Sequence, residues 1–311
     1  MSCYSREELK LKKIGVLMGG LSAEREVSFK TGQAALDALL ELGYDAVAVD
    51  AGHNLAEQLV QLKIDVAFIA LHGRFGEDGR VQGVLEMMQI PYTGSGVMSS
   101  SIAIDKIMTK KLLLYHELPT PGFDCIRNGD STAELLERCQ HLPLVVKPSR
   151  EGSTIGITIA KTREELRHGI ETAATMDGTV LIEDFIDGAE LTVSVLNGEA
   201  LPIIKIVPKS GFYDYQAKYQ SNDTEYLVPA PIDVVSYQQV QQAAVKAYNV
   251  LGCRGAARVD FMFREREFYC IEINTIPGMT QTSLLPKAAQ EAGINFCQLV
   301  EAMLLDADLD K

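Results

Sequence analysis

Apolar and polar residues alternate along two neighbouring stretches late in the chain, 256–263 and 267–274. Arg264-Glu265-Arg266 between them is a tight connection, so the pair reads as a β-hairpin. Period two sets the faces: Arg258 and Asp260 share one side of the first strand, and Glu272 and Asn274 share one side of the second. Upstream the pattern changes. Short apolar runs at 13–18, 45–50 and 65–71 read as buried strands, and helical periodicity at 27–42, 55–62 and 81–89 separates or follows them. Strand and helix in alternation predict a small parallel sheet with helices on its faces.

The Pro91 to Gly96 stretch and Ser99-Ser100-Ser101 mark a junction, which places a first boundary near residue 105. Asp105-Lys106 opens a helix running to His116, and Pro119 and Pro121 end that segment. Strands are predicted at 142–148, 157–160, 179–183, 191–196 and 201–207, and helices at 163–174, 236–251, 283–292 and 296–305. Between Pro208 and Pro231 the chain carries Gly211, Tyr213, Tyr215, Lys218, Tyr219 and Tyr226 without a period. A loop this long in a compact chain is commonly a functional lid, and its aromatic content favours an ordered one.

Composition narrows the function classes. At 311 residues and 47% hydrophobic content, the chain exceeds the size at which single cores divide, so two or three domains are expected. Its net charge of −13 and lack of a basic run disfavour nucleic acid as partner. No apolar run reaches membrane-spanning length, and the charged leader 1–13 has no signal core, so no membrane role and a cytoplasmic location are expected. Six scattered cysteines without a CxxC argue for reduced thiols.

Candidate chemistry lies at the strand ends. Asp260, Glu272 and Asn274 would form an oxygen-only cluster suited to Mg²⁺, with Arg258 as a fixed charge beside it; a solvated hairpin face is the plainer alternative. Gly19-Gly20 lacks the GxGxxG spacing of a dinucleotide site. Glu24 at the next helix start reads either as a helix-dipole partner or as a carboxylate receiving a substrate ammonium. His72 opens a glycine-rich loop, 72–79, and divides evenly between a structural role and substrate positioning. Lys106 reads equally as a surface charge. Lys147 ends a strand before a hydroxyl- and glycine-rich loop, 149–156, which can meet phosphate oxygens but is not a GxxxxGK[ST] loop. Glu183 and Glu190 bracket a connector whose backbone at Phe185 and Ile186 can read an adenine edge, while Glu190 can accept ribose hydroxyls; two acids flanking a turn are also often merely solvated.

The order of these motifs resembles an ATP-grasp enzyme. More closely, Gly-Gly-Leu-Ser-Ala-Glu24-Arg-Glu-Val-Ser, Leu-His72-Gly-Arg-Phe-Gly-Glu-Asp-Gly, Val-Lys147-Pro-Ser-Arg-Glu-Gly-Ser153, Phe-Tyr-Asp-Tyr-Gln-Ala-Lys218-Tyr219 and Glu272-Ile-Asn274-Thr-Ile-Pro-Gly278-Met-Thr resemble the D-alanine:D-alanine ligases from about residue 13 to 305. The resemblance implies an α/β ATP-grasp fold of three α/β domains: an N-terminal parallel-sheet domain at 1–105, a central ATP-grasp domain at 106–192, and a C-terminal ATP-grasp domain at 193–311 with lid 208–231. It implies nucleotide roles for Lys106, Lys147, Glu151, Gly152, Ser153, Glu183, Phe185, Ile186 and Glu190, and two Mg²⁺ or Mn²⁺ ions on Asp260, Glu272 and Asn274. Arg258 and the Gly278 N–H correspond to oxyanion donors. Glu24, with His72 nearby, takes the first ammonium; Ser283 and Lys218 take the second carboxylate, with Leu284 on the same side. Ser153 and Tyr219 form, with Glu24, the closing network. The implied activity is ATP-dependent joining of two D-alanines through an acylphosphate, for peptidoglycan precursors, by a homodimer. A D-lactate or D-serine second substrate, or an idle nucleotide-binding protein, are the alternatives. Asp184 departs from the family's lysine and makes the adenine rim more acidic.

Overall fold

The computed structural model describes residues 4–139, 141–152, 155–208, 224–280 and 283–311. Three sheets organise them. In the first, β1 (Lys13–Met18) lies between β2 (Asp45–Asp50) and β3 (Val66–Ile69), all parallel. β1 and β3 are almost wholly buried, as the unbroken apolar runs predict, while β2 keeps exposed aspartates at both ends. Helix α1 (Arg6–Leu9) precedes β1, held by a reciprocal cap between Ser5 and Glu8. Its Leu9 is fully buried, and Arg6 pairs with Glu301 at 2.6 Å, so the leader is packed against the body. Helices α2 (Arg25–Glu41), α3 (Leu55–Leu62) and α4 (Arg80–Met87) complete this layer.

Next come α5 (Val97–Ile104) and α6 (Lys106–Tyr115). The serine-rich stretch expected to be a junction is thus helical. Ser100 is buried and donates to the Ser95 carbonyl, and Ser99 donates to the Gly252 carbonyl at 2.7 Å, so these hydroxyls serve packing rather than solvation. Asp105 caps α6 by accepting from Ile107 and Met108 N–H.

The second sheet runs β4 (Phe123–Arg127), β7 (Thr179–Asp184), β5 (Leu144–Pro148), β6 (Thr158–Ala160), antiparallel throughout. Helices α7 (Thr132–Arg138) and α8 (Arg163–Ala174) bury Leu135, Leu166 and Ile170 against it. Neither β4 nor α7 was expected; β4 is a short edge strand carrying Asp124 and Arg127, with little apolar signature.

In the third sheet the order is β11-β10-β8-β12-β13, with β9 (Glu199–Ala200) pairing β8 (Ala189–Leu196). β10 (Ile204–Pro208) pairs β11 (Thr224–Leu227), so the expected loop 208–231 contains a strand whose partner is set by register. The hairpin of β12 (Ala256–Arg264) and β13 (Glu267–Asn274) is present, but Arg264 pairs with Glu267 and the turn is only Glu265-Arg266. Both turn residues have positive φ, 52° and 72°, the twist that a two-residue hairpin requires. Helix α9 (Val234–Val250) covers this sheet, burying Val240, Ala244 and Ala247. Helix α10 (Leu284–Glu291) packs on β8 and on α11 (Phe296–Leu305), which in turn packs on α2. Among the described residues no helix is long and apolar enough to cross a membrane.

Candidate active site

Arg258 stands opposite Asn274, and Asp260 opposite Glu272, so register puts all four side chains on one face of the hairpin, as alternation predicts. Arg258 donates through Nε and Nη2 to the two oxygens of Asp260 at 2.9 and 2.8 Å, and buried Thr192 on β8 donates to Asp260 Oδ1 at 2.6 Å. Asp260 is therefore held rigidly by three donors, and a carboxylate offers roughly four lone-pair sites, so room remains for a cation. Asn274 Oδ1 accepts from Ile276 N–H at 2.9 Å, which fixes the amide. Two carboxylates and an amide oxygen on one rigid face fit a hard divalent ion of the Mg²⁺ kind.

Facing this set is a second charged group. Glu183, at the end of β7, lies 2.5 Å from Lys147 Nζ and 2.8 Å from Lys110 Nζ, with all three side chains at most 5% exposed. Burial works against the Glu183 carboxylate, but Lys147 and then Lys110 outweigh it and hold its pKa below the usual range. Burial lowers the pKa of Lys110, with Glu183 opposing. Lys110 had no place among the expected residues. The available signal was its spacing, one turn after Lys106 on α6, which puts the two lysines on one helix face. Lys106 itself is buried, which excludes the surface-charge alternative; its ammonium donates to the Glu151 carbonyl at 2.7 Å and lies 3.3 Å from Glu272.

Most of these groups, Lys110 excepted, line two cavities. The larger, about 560 Å³, is bounded by Lys147, Glu183, Phe185, Ile186, Glu190 and Asp260 among others, a size that suits a cofactor or nucleotide. The smaller, about 120 Å³, is bounded by Glu24, His72, Arg258, Asn274, Gly278, Ser283 and Leu284. Lys106, Gly152 and Glu272 line both, so the cavities adjoin at these residues. Glu151, which also lines the larger cavity, has its carboxyl pKa raised by burial. The Phe185 N–H, expected to be free to read an adenine edge, instead donates to the Pro143 carbonyl at 3.4 Å.

Glu24 is the N-cap residue of α2 and makes no side-chain cap hydrogen bond there. Its Oε2 overhangs Gly73, where φ is +69° and a Cβ would lie only 2.7 Å away. Ser22 Oγ donates to the His72 carbonyl at 2.6 Å and ties the loop after β1 to the loop after β3. His72 is buried, with Nε2 2.9 Å from Thr31 Oγ1 and Nδ1 3.6 Å from Glu77, so it is anchored as well as placed beside the small cavity. Ser283 is the first residue before α10, yet its hydroxyl accepts from Thr280 N–H at 3.0 Å instead of capping that helix. Ser153, Lys218 and Tyr219 lie outside the described residues.

Residues 112–305 match the family model described as D-ala D-ala ligase C-terminus, and residues 50–95 match D-ala D-ala ligase N-terminus. The D-alanine–D-alanine ligase of Syntrophotalea carbinolica is 58% identical over 306 residues, covering 98% of this chain and 99% of that one. Among solved structures, the D-alanine–D-alanine ligase of Bacillus anthracis complexed with ATP is similar at 37% identity and a TM-score of 0.83, covering 94% of this chain and 96% of that chain. A D-Ala:D-Ser ligase of Enterococcus faecalis is similar at 29% identity with the same TM-score, covering 95% and 99%.

Proposed function

This chain belongs to the D-alanine–D-alanine ligase family, and we propose that it joins two D-alanines to D-alanyl-D-alanine with conversion of ATP to ADP and phosphate, as a step towards peptidoglycan precursors. The observation that carries the reading is the junction of a nucleotide-sized cavity with a small one at Lys106, Gly152 and Glu272. A phosphate end placed there lies within reach of both an amino acid and the oxygen cluster of the hairpin.

The carboxylate of the first D-alanine attacks the γ-phosphorus, and the bond to the β-bridging oxygen breaks, giving an acylphosphate and ADP. The amine of the second D-alanine then attacks the acyl carbon, loses a proton and expels phosphate. Lys147 and Lys106 hold phosphate oxygens, and Glu183 and Glu190 border the base and ribose. Glu24 receives the first ammonium, with His72 fixing the loop beneath it. Arg258 and the Gly278 N–H donate to the oxygen that becomes negative in the second step, while Ser283 and Leu284 bound the second substrate. Positioning and charge stabilisation of this kind supply most of the rate in phosphoryl and acyl transfer. Asp260, Glu272 and Asn274 would hold two divalent ions, Mg²⁺ or Mn²⁺, which when bound neutralise the charge gathering on the phosphates. Ser153, Lys218 and Tyr219 complete the site by family resemblance. We assign the three sheets to three domains and the working form to a cytoplasmic homodimer.

The test is incubation with ATP, Mg²⁺ and a panel of D-amino and D-hydroxy acids, with the product identified by mass. Dipeptide from D-alanine alone supports the reading; a D-alanyl-D-serine or ester product in preference to it replaces the second substrate, and ATP hydrolysis without any coupled product overturns ligation.

A further inference from the structure

The larger cavity is backed by an unequal charge set. Lys110 and Lys147 share one carboxylate, Glu183, each on a different oxygen. Lys147 and Glu183 line the cavity, whereas Lys110 stands behind them, fully buried, and does not. Lys110 is braced there: it donates to Thr120 Oγ1 at 2.6 Å and to the Pro121 carbonyl at 3.3 Å, and its ammonium lies 5.3 Å from the centre of the Phe123 ring. Thr120 in turn donates to the Cys270 carbonyl on β13, which fixes this assembly to the strand that carries Glu272.

A single buried Lys147–Glu183 pair would be closed. The ammonium and the carboxylate would satisfy each other, and drawing Lys147 towards a ligand would leave Glu183 as an uncompensated buried anion, which is strongly unfavourable. With Lys110 on Oε2, that objection disappears. Glu183 keeps a cation when Lys147 turns to an anionic ligand, and the surplus positive charge of the set repels Lys147 outwards into the cavity.

We propose that Lys110 is a positioning residue for Lys147: it holds Glu183 so that Lys147 is released to bind nucleotide phosphate. The proposal rests on the assignment of the larger cavity to the nucleotide.

The experiment compares Lys110→Met, Lys147→Met and the double variant Lys110→Met/Glu183→Gln with wild type. Affinity for a non-hydrolysable ATP analogue is read by titration calorimetry, KM for ATP and for D-alanine by ADP release, and Tm by thermal unfolding. Lys110→Met should weaken the analogue about tenfold, the worth of one charge-assisted contact, raise KM for ATP in step and leave KM for D-alanine unchanged. Its Tm should not fall, because one cation on one anion is easier to bury than two. In the double variant nothing pins Lys147, so analogue affinity should recover above that of Lys110→Met alone. Unchanged analogue affinity in Lys110→Met, with affinity lost in Lys147→Met, overturns the proposal and leaves the nucleotide assignment standing. Unchanged affinity in Lys147→Met overturns both. A lowered Tm with equal loss for ATP and D-alanine, or a double variant weaker than the single one, marks Lys110 as merely structural and also overturns it.

Discussion

Two charge clusters line the active site, built from the same kinds of group in different proportion. Lys110 and Lys147 place two cations on the one carboxylate of Glu183; Asp260 and Glu272 place two carboxylates beside the one guanidinium of Arg258. Lys106 lies between them, 3.3 Å from Glu272. Each cluster is braced by a buried threonine: Thr120 accepts from Lys110, and Thr192 donates to Asp260. A balanced buried ion pair adds little to stability and invites no ligand. The basic cluster is unbalanced and would be completed by an anion such as phosphate, whereas in the acidic cluster Lys106 pairs with Glu272 as Arg258 does with Asp260, so a metal ion there would share carboxylates that already have cations.

The largest effect is expected at the acidic end. Glu272→Gln removes the carboxylate that pairs with Lys106 and leaves Arg258 and Asp260 as a closed pair. Turnover should fall at least about a hundredfold with Tm held, because charge arriving on the phosphates meets less cation. ADP release at saturating ATP and D-alanine, measured across a Mg²⁺ series, checks this. Wild-type turnover at the same Mg²⁺ would show that the Glu272 charge is incidental.

At the basic end the effect should fall on binding. If Lys147 holds phosphate as proposed, Lys147→Met removes that charged contact, and ATP affinity should drop roughly ten- to a hundredfold, with the divalent-ion requirement unaltered. Equal shifts in ATP affinity and Mg²⁺ requirement would show the clusters to be one unit.

The acidic cluster was more legible in sequence than the basic one. Asp260, Glu272 and Asn274 sit on two adjacent strands joined by a short turn, so period two alone brings them together, and the register agrees. Lys110, Lys147 and Glu183 come from a helix and two strands separated by long intervals, and no local period relates them. Lys147 could be found because it ends a strand before a glycine loop. Lys110 reads in sequence as one more polar residue of α6, with its place one turn after Lys106 as the one available signal, and burial is what singles it out. Thr31 and Thr192 were silent for the same reason. β4 was missed because a five-residue edge strand that carries Asp124 and Arg127 has little apolar pattern; the helical run 97–104 was missed because its serines bond inward.

A smaller effect concerns acid. The pKa of Glu183 is held low in the folded protein, so its contribution to stability is complete above the unfolded carboxylate range and is lost as pH falls through the lower, folded value. In Lys110→Met one of the two cations responsible is gone, the depression is shallower, and the acid loss of Tm should begin at higher pH than in wild type. Tm measured in steps from about pH 6 to pH 3 reads the difference, since carboxylates elsewhere contribute equally to both proteins. Superimposable Tm profiles would mean that Lys110 does not share the Glu183 charge.

The smallest effect should come from Thr192→Val, which is nearly isosteric and touches the acidic cluster at one atom. Asp260 Oδ1 accepts from both Thr192 Oγ1 and Arg258 Nε, so loss of the hydroxyl leaves that oxygen partly held. One hydrogen bond to a charged group is worth about 1.5–3 kcal/mol, and the retained Arg258 contacts should keep the loss near the lower figure. The freed oxygen then has two ways to recover: it can draw closer to Arg258, or it can bind a divalent ion less selectively. The first would tighten the closed pair and raise the Mg²⁺ concentration needed for half-maximal turnover, with ATP affinity in the absence of metal unchanged. Because Thr120→Val at the basic end removes the matching brace from Lys110, it should instead shift metal-free ATP affinity and leave the Mg²⁺ requirement alone. If both valine variants moved the same parameter, the braces would belong to a shared scaffold, and the separation of the two clusters by ligand type would not hold.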